Sequence, residues 1–204
     1  MNRIAITVQI TVIMFLTACG VREVRLTRPA IEPQAVQVSP DCAVTLTSVS
    51  DKRTQSDPSA SLPWLHYQVD DLPAMVTHYV TEWFGSHGMQ LLYTTEPVDP
   101  SRSLGLSILR FYIEQHPSTV TTTIVMEASS PQYWGADVVE IVRGRHTYLN
   151  WLGSVAEFQR EFKQAIYDAT DRLWSKIPSV NYNGTKNRLK ACYSITPDDR
   201  AASL

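Results

Sequence analysis

The residue with the most distinctive chemical setting in this 204-residue chain is Cys19, which stands in the run Leu16-Thr17-Ala18-Cys19-Gly20. A branched apolar residue, two small residues and a Cys match the bacterial lipobox pattern. In that pattern a membrane protease cuts just before the Cys, and its sulfur carries a diacylglycerol. The chemistry expected of Cys19 is therefore acylation, by palmitate or a similar fatty acid. Residues 1–18 would then be a lipoprotein signal peptide. The segment suits that role: Arg3 supplies a positive charge, and Thr7, Gln9, Thr11 and Thr17 interrupt the stretch from Ile4 to Ala18. A membrane-spanning helix needs about 20 mostly apolar residues, whereas a signal-peptide core takes about 7 to 15.

With Cys19 consumed by lipid, the chain's other two cysteines, Cys42 and Cys192, are left as a pair. An oxidising periplasm permits a disulfide between them, and two free thiols are the alternative, because spacing does not fix connectivity. The expected bond would close a loop of about 150 residues, which a chain-entropy model values at roughly 5 kcal/mol.

The sequence contains no Gly-x-Ser-x-Gly elbow, phosphate loop, Cys-x-x-Cys or His-Glu-x-x-His. His78 and Glu82 lie one helical turn apart and could begin a metal site, but they fall on the polar side of their helix, where an exposed pair is the simpler reading. His66, His87, His116 and His146 are scattered in loop or turn settings. No metal and no cofactor is expected. Asp51 and Arg53 could grip a polar ligand through the Arg fork, or could fix the loop that leaves the first strand. Asp70 and Asp71 sit where a helix begins and suit capping better than acid–base work. Tyr133 and Trp134, between Pro131 and Gly135, fall at an expected hairpin tip. There they either contact a partner or fold back on the sheet. The expectation is a non-enzyme with a binding or assembly role; an unrecognised envelope enzyme is the alternative.

Charge adds an exclusion. Eighteen Lys and Arg against twenty Asp and Glu give a net charge of −2, so no strong field calls for nucleic acid.

Elements to position these residues follow from periodicity. Pro29, Pro33 and Pro40 interrupt residues 19–41, which read as a lipidated flexible tether. Within it Arg22, Arg25 and Arg28 either lie against anionic headgroups or are simply solvated. Ala43 to Ser50 is β-branched and suits a first strand, with a brief second one near Trp64 to Tyr67. Asp71 caps a helix whose stripe is Leu72, Met75, Val76, Tyr79, Val80, Trp83 and Phe84, and Gly88 stops it. Met89, Leu91 and Tyr93 then alternate as a strand. Leu104, Leu106 and Ile108 alternate before the phase slips to Leu109, Phe111 and Ile113, which predicts a β-bulge near Ile108. Val120 to Ala128 continues the meander. Ala136 to Val142 is a further strand, broken by Gly144, with a last edge strand at Thr147 to Trp151. Ser154-Val155-Ala156-Glu157 has capping-box spacing and opens a six-turn helix that Pro178 ends. The predicted fold is α+β: a two-layer domain over residues 42–178, with a mostly antiparallel sheet of four to six strands covered by two amphipathic helices. Residues 179–204 read as an irregular tail.

In this arrangement the chain resembles the YajG-like family of Gram-negative envelope lipoproteins. The lipobox carries the resemblance, together with the Asp51-Lys52-Arg53 step that ends the first strand and the helix that passes through Gly88-Met89 into a strand. It covers roughly residues 36 to 177, and the Gly often expected soon after the Asp-x-Arg step is missing. The resemblance implies an outer-membrane lipoprotein on the periplasmic side, with no catalytic residues to transfer. Gly20, rather than Asp, follows Cys19, which in enteric-type sorting implies release from the inner membrane. The implied partners are the membrane, through the N-terminal lipid, and an envelope protein or lipid. Auxiliary lipoproteins of envelope transport and lipopolysaccharide assembly are similar in architecture.

Overall fold

Asp71 starts the first helix as its residue type requires: its Oδ1 accepts from the Ala74 N–H at 3.0 Å, and Pro73 occupies the first turn. The helix, α1 (Leu72–Ser86), buries the stripe Leu72, Met75, Val76, Tyr79, Val80, Trp83 and Phe84. Gly88 then takes the left-handed conformation, φ 74°, and turns the chain into a strand. The last helix, α3 (Val155–Lys176), opens with the capping box complete: Glu157 N–H donates to Ser154 Oγ at 3.2 Å, and Ser154 N–H to Glu157 Oε2 at 2.8 Å. A one-turn helix, α2 (Pro131–Trp134), lies between two strands.

The structure, a computed structural model, describes residues 22–27, 43–54, 65–93, 103–116, 118–149, 154–180 and 184. Cys19, Cys42 and Cys192, and with them the expected acylation and the expected disulfide, lie outside the described residues.

Seven strands are described: β1 (Arg22–Leu26), β2 (Ala43–Asp51), β3 (Leu65–Val69), β4 (Gln90–Tyr93), β5 (Ser103–Gln115), β6 (Thr119–Ser129) and β7 (Val139–Leu149). The α+β class is as predicted. Five strands form one sheet in the order β4-β2-β5-β6-β7. The long pairings, β5 with β6 and β6 with β7, are antiparallel, while β2 pairs parallel with both β4 and β5, so the sheet is mixed. The β5–β6 register shifts between Ile108 and Arg110, which makes Leu109 the extra residue of the bulge that the phase slip predicted.

Two readings of the chain are corrected. Arg22–Leu26, expected to be tether, is a strand: β1 pairs parallel with β3 from Arg22↔Leu65 to Leu26↔Val69. Val24 and Leu26 are fully buried. Two apolar residues at alternate positions are too short a pattern to read alone, and the partner strand is far along the chain. The second correction concerns Gly144. It does not break a strand but lies inside the continuous β7, because α3 crosses there so closely that a Cβ would meet Ala165 O at 1.9 Å and Ala169 Cβ at 2.7 Å.

Both long helices cover one face of the sheet. Phe162 of α3 meets Phe111 of β5 and Tyr79 of α1 edge-on, with ring centroids 5.0 and 5.9 Å apart, and Phe84 meets Trp174 at 5.6 Å. Leu104, Leu106, Ile108, Ile113, Ile124 and Met126 complete the core beneath them. Among the described residues no helix covers the other face, and none is long and apolar enough to cross a membrane.

Candidate functional site

The uncovered sheet face is built by strand alternation. On β7, Val139, Ile141, Arg143, Arg145, Thr147 and Leu149 all point outward and are exposed. Arg143 crosses the sheet to donate to the Tyr112 hydroxyl of β5 at 2.8 Å, and the hydroxyls of Thr121 and Thr147 bond at 2.8 Å. Farther along, Ser50 donates to Ser107 at 3.0 Å, and Lys52 pairs with Glu127 at 2.9 Å. The result is a polar face with three exposed apolar side chains on one border: Val139 is 50%, Ile141 53% and Leu149 63% exposed. At its centre Thr121 and Thr123 of β6 are only 2% and 0% exposed, so the part of this face open to a partner is the β7 border, through apolar contact there.

Asp51 and Arg53 come together at the end of β2. Arg53 Nε donates to Asp51 Oδ1 at 2.9 Å, Nη2 to Oδ2 at 2.7 Å, and the Arg53 N–H to Oδ1 at 3.1 Å. These bonds hold the Asp51 carboxyl below its usual range, since they favour its charged form. The geometry is that of a pair fixing its own loop, with the fork turned to its neighbour.

Tyr133 and Trp134 are not at an open hairpin tip. They lie in α2, where Tyr133 is 5% exposed and burial pushes its hydroxyl up to about 12. Trp134 is half-buried against the core, and its Nε1 donates to Lys176 O at 3.4 Å. The rings fold back, the second of the two readings; Pro131 starts a helical turn where a flat hairpin was expected.

His78 and Glu82 lie 3.9 Å apart along α1, and Glu82 also pairs with Lys163 of α3. Among the described residues no group of three His, Cys, Asp or Glu side chains is placed to hold a metal.

Sequence reasoning missed one cluster. Glu161 of α3 is 1% exposed and accepts from His146 Nδ1 of β7. Arg160 Nε lies 3.4 Å from its other oxygen, and the Arg160 guanidinium sits over the Tyr148 ring at 5.6 Å. Burial, with Glu157 adding to it, pushes the Tyr148 hydroxyl up to about 12. His146 is not in a loop or turn: it lies inside β7, which continues through Gly144. A helical projection centred on Phe158, Phe162 and Ala165 puts Glu161 at the border of the apolar stripe, beside the exposed Arg172, so its position on the helix does not mark it as buried.

No family model matches the chain, and no curated protein matches it in sequence. Among solved structures it is similar to an uncharacterised protein at 6% identity and TM-score 0.45, over 77% of this chain and 99% of the other. It is also similar to a Xanthomonas campestris protein of the DUF330 family, at 14% identity and TM-score 0.40, over 74% and 92%. A third is a minor lipoprotein from Acinetobacter baumannii, at 14% identity and TM-score 0.33, over 66% and 92%. None of the three is named as a YajG-like protein.

Proposed function

We propose that this chain is a non-catalytic lipoprotein of the cell envelope, acylated at Cys19 and held at the outer membrane on the periplasmic side, with a binding or assembly role toward a partner protein or lipid. The observation that carries the reading is the run Leu16-Thr17-Ala18-Cys19-Gly20 at the end of a short apolar segment. The open sheet face supplies the binding surface. The non-catalytic part is supported by how the polar residues are engaged: Asp71 caps α1, Arg53 and Asp51 hold each other, and Glu157 closes the capping box.

Palmitate labelling tests the anchor. The wild type should take up label and the Cys19→Ala variant should not; label retained by the variant overturns the reading. Fractionation that finds the mature protein only in the inner membrane overturns the outer-membrane part. For the binding face, crosslinking in intact cells should give a product that is lost when Ile141 and Leu149 are both replaced by Glu. A product unchanged in that variant removes the face from the proposal.

A further inference from the structure

Only Gly20 and Val21 lie between Cys19 and the first residue of β1. Three peptide units separate the Cα atoms of Cys19 and Arg22, and each reaches 3.8 Å, so the link spans at most about 11 Å. The strand it leads into is firmly part of the body. All five residues of β1 are in register with β3, Val24 and Leu26 are fully buried, and Arg25 pairs with Asp70 at 3.0 Å. Just past the strand, Gln159 of α3 donates to Thr27 O at 3.1 Å. No slack is available from β1 without emptying two core positions. A domain of about 150 residues has a radius of gyration of about 15 Å, so a link of about 11 Å is short beside its width of roughly 40 Å.

We infer that the bilayer surface is an interaction surface of this domain, which the short link at β1 seats on the headgroups with the Arg22 end of β1 and the Leu65 end of β3 nearest the membrane. The inference rests on the proposed acylation of Cys19, because the lipid is what places that residue at the membrane. The orientation has a direction: β1 and β3 run parallel and begin at the same level, so their far ends, at Leu26 and Val69, and the first turns of α3 beside Thr27 lie farther along the strand axis from the anchor. A partner recruited by this protein is met within one domain width of the bilayer.

Neutron reflectometry of the lipidated mature protein on a supported bilayer tests this, comparing the natural chain with one carrying 20 Gly and Ser residues inserted between Val21 and Arg22. For the natural chain, protein density should begin at the headgroups with no water layer between. In the insertion variant the protein layer should move outward or broaden by roughly 25 Å, the root-mean-square reach of such a linker. A water gap under the natural chain, or a variant profile identical to it, overturns the inference, since the short link would not then be what seats the domain. The mass of the N-terminal peptide separates the two readings. An unacylated Cys19 removes both, whereas an acylated Cys19 with a water gap removes this one alone.

Discussion

The five-stranded sheet ends in β4 on one side and β7 on the other, and the two edges differ greatly in length, four residues against eleven. A bare edge offers its unpaired N–H and C=O groups to any other strand, and a very short edge offers few. β7 offers many, and α3 engages two of them. The Arg145 N–H donates to Asp168 Oδ2 at 2.9 Å, and Lys176 Nζ donates to Ile141 O at 3.0 Å while pairing with Glu140 at 2.7 Å. Arg172 Nε in turn holds both oxygens of Asp168, at 3.0 and 3.1 Å. The polar border of α3 is thus matched to the strand beside it as well as to water. Brevity protects one edge and a helix the other; the second device depends on how near the helix can come.

Gly144 sets that nearness, and Gly144→Ala should give the largest effect. The added carbon would meet backbone atoms of α3, which cannot yield without moving the helix, so a loss of about 3 kcal/mol is expected in urea unfolding. On α1, the helix of the β4 side, Gly85 has nothing within 4 Å of an added Cβ. Gly85→Ala should therefore gain up to about 1 kcal/mol through helix propensity. Equal effects at the two glycines would break the contrast.

A smaller effect is expected at the buried carboxylate beneath β7. His146→Ala leaves the buried Glu161 with Arg160 at 3.4 Å and should cost about 1 to 2 kcal/mol, because a buried carboxyl then loses a hydrogen-bond partner. Adding Glu161→Gln in the same chain should recover part of the loss. If the double variant is instead less stable than His146→Ala alone, the pair is not what holds this end of β7 to α3.

The smallest change in stability belongs to the edge contacts themselves. Asp168→Ala with Lys176→Ala should cost about 1 kcal/mol in total, since both side chains are partly solvated. It should nevertheless raise self-association at matched concentration in sedimentation, because the uncovered groups of β7 become free to pair. Unchanged sedimentation would mean that the length of β7 needs no guard.

Much of this architecture was legible residue by residue. Asp71, Gly88, the Ser154–Glu157 box and the slip at Leu109 act through their immediate neighbours, so a sequence window contains the whole cause. What could not be read depends on distant chain. β1 is a strand because β3 is beside it, and Gly144 stays in β7 because α3 arrives over it. Glu161 is buried because His146 meets it there. For the candidate site the same division holds. The lipobox is a local pattern, whereas the open face emerges only when β5, β6 and β7 are set side by side.

The pairing of β1 with β3 also has a consequence in time. Arg25 and Gln68, partners in the ladder, are 43 residues apart, and closing a loop of that size costs about 3 kcal/mol of chain entropy. The β5–β6 hairpin, by contrast, closes through a tight turn in which His116 N–H donates to Thr119 O at 2.8 Å, so it should form early and β1 should dock late. On the proposed lipoprotein reading, the segment beside Cys19 would emerge during export well before the strand it needs. Protease and acyl transferase would then meet an extended, unpaired substrate, and the later arrival of β3 would withdraw that same stretch from them.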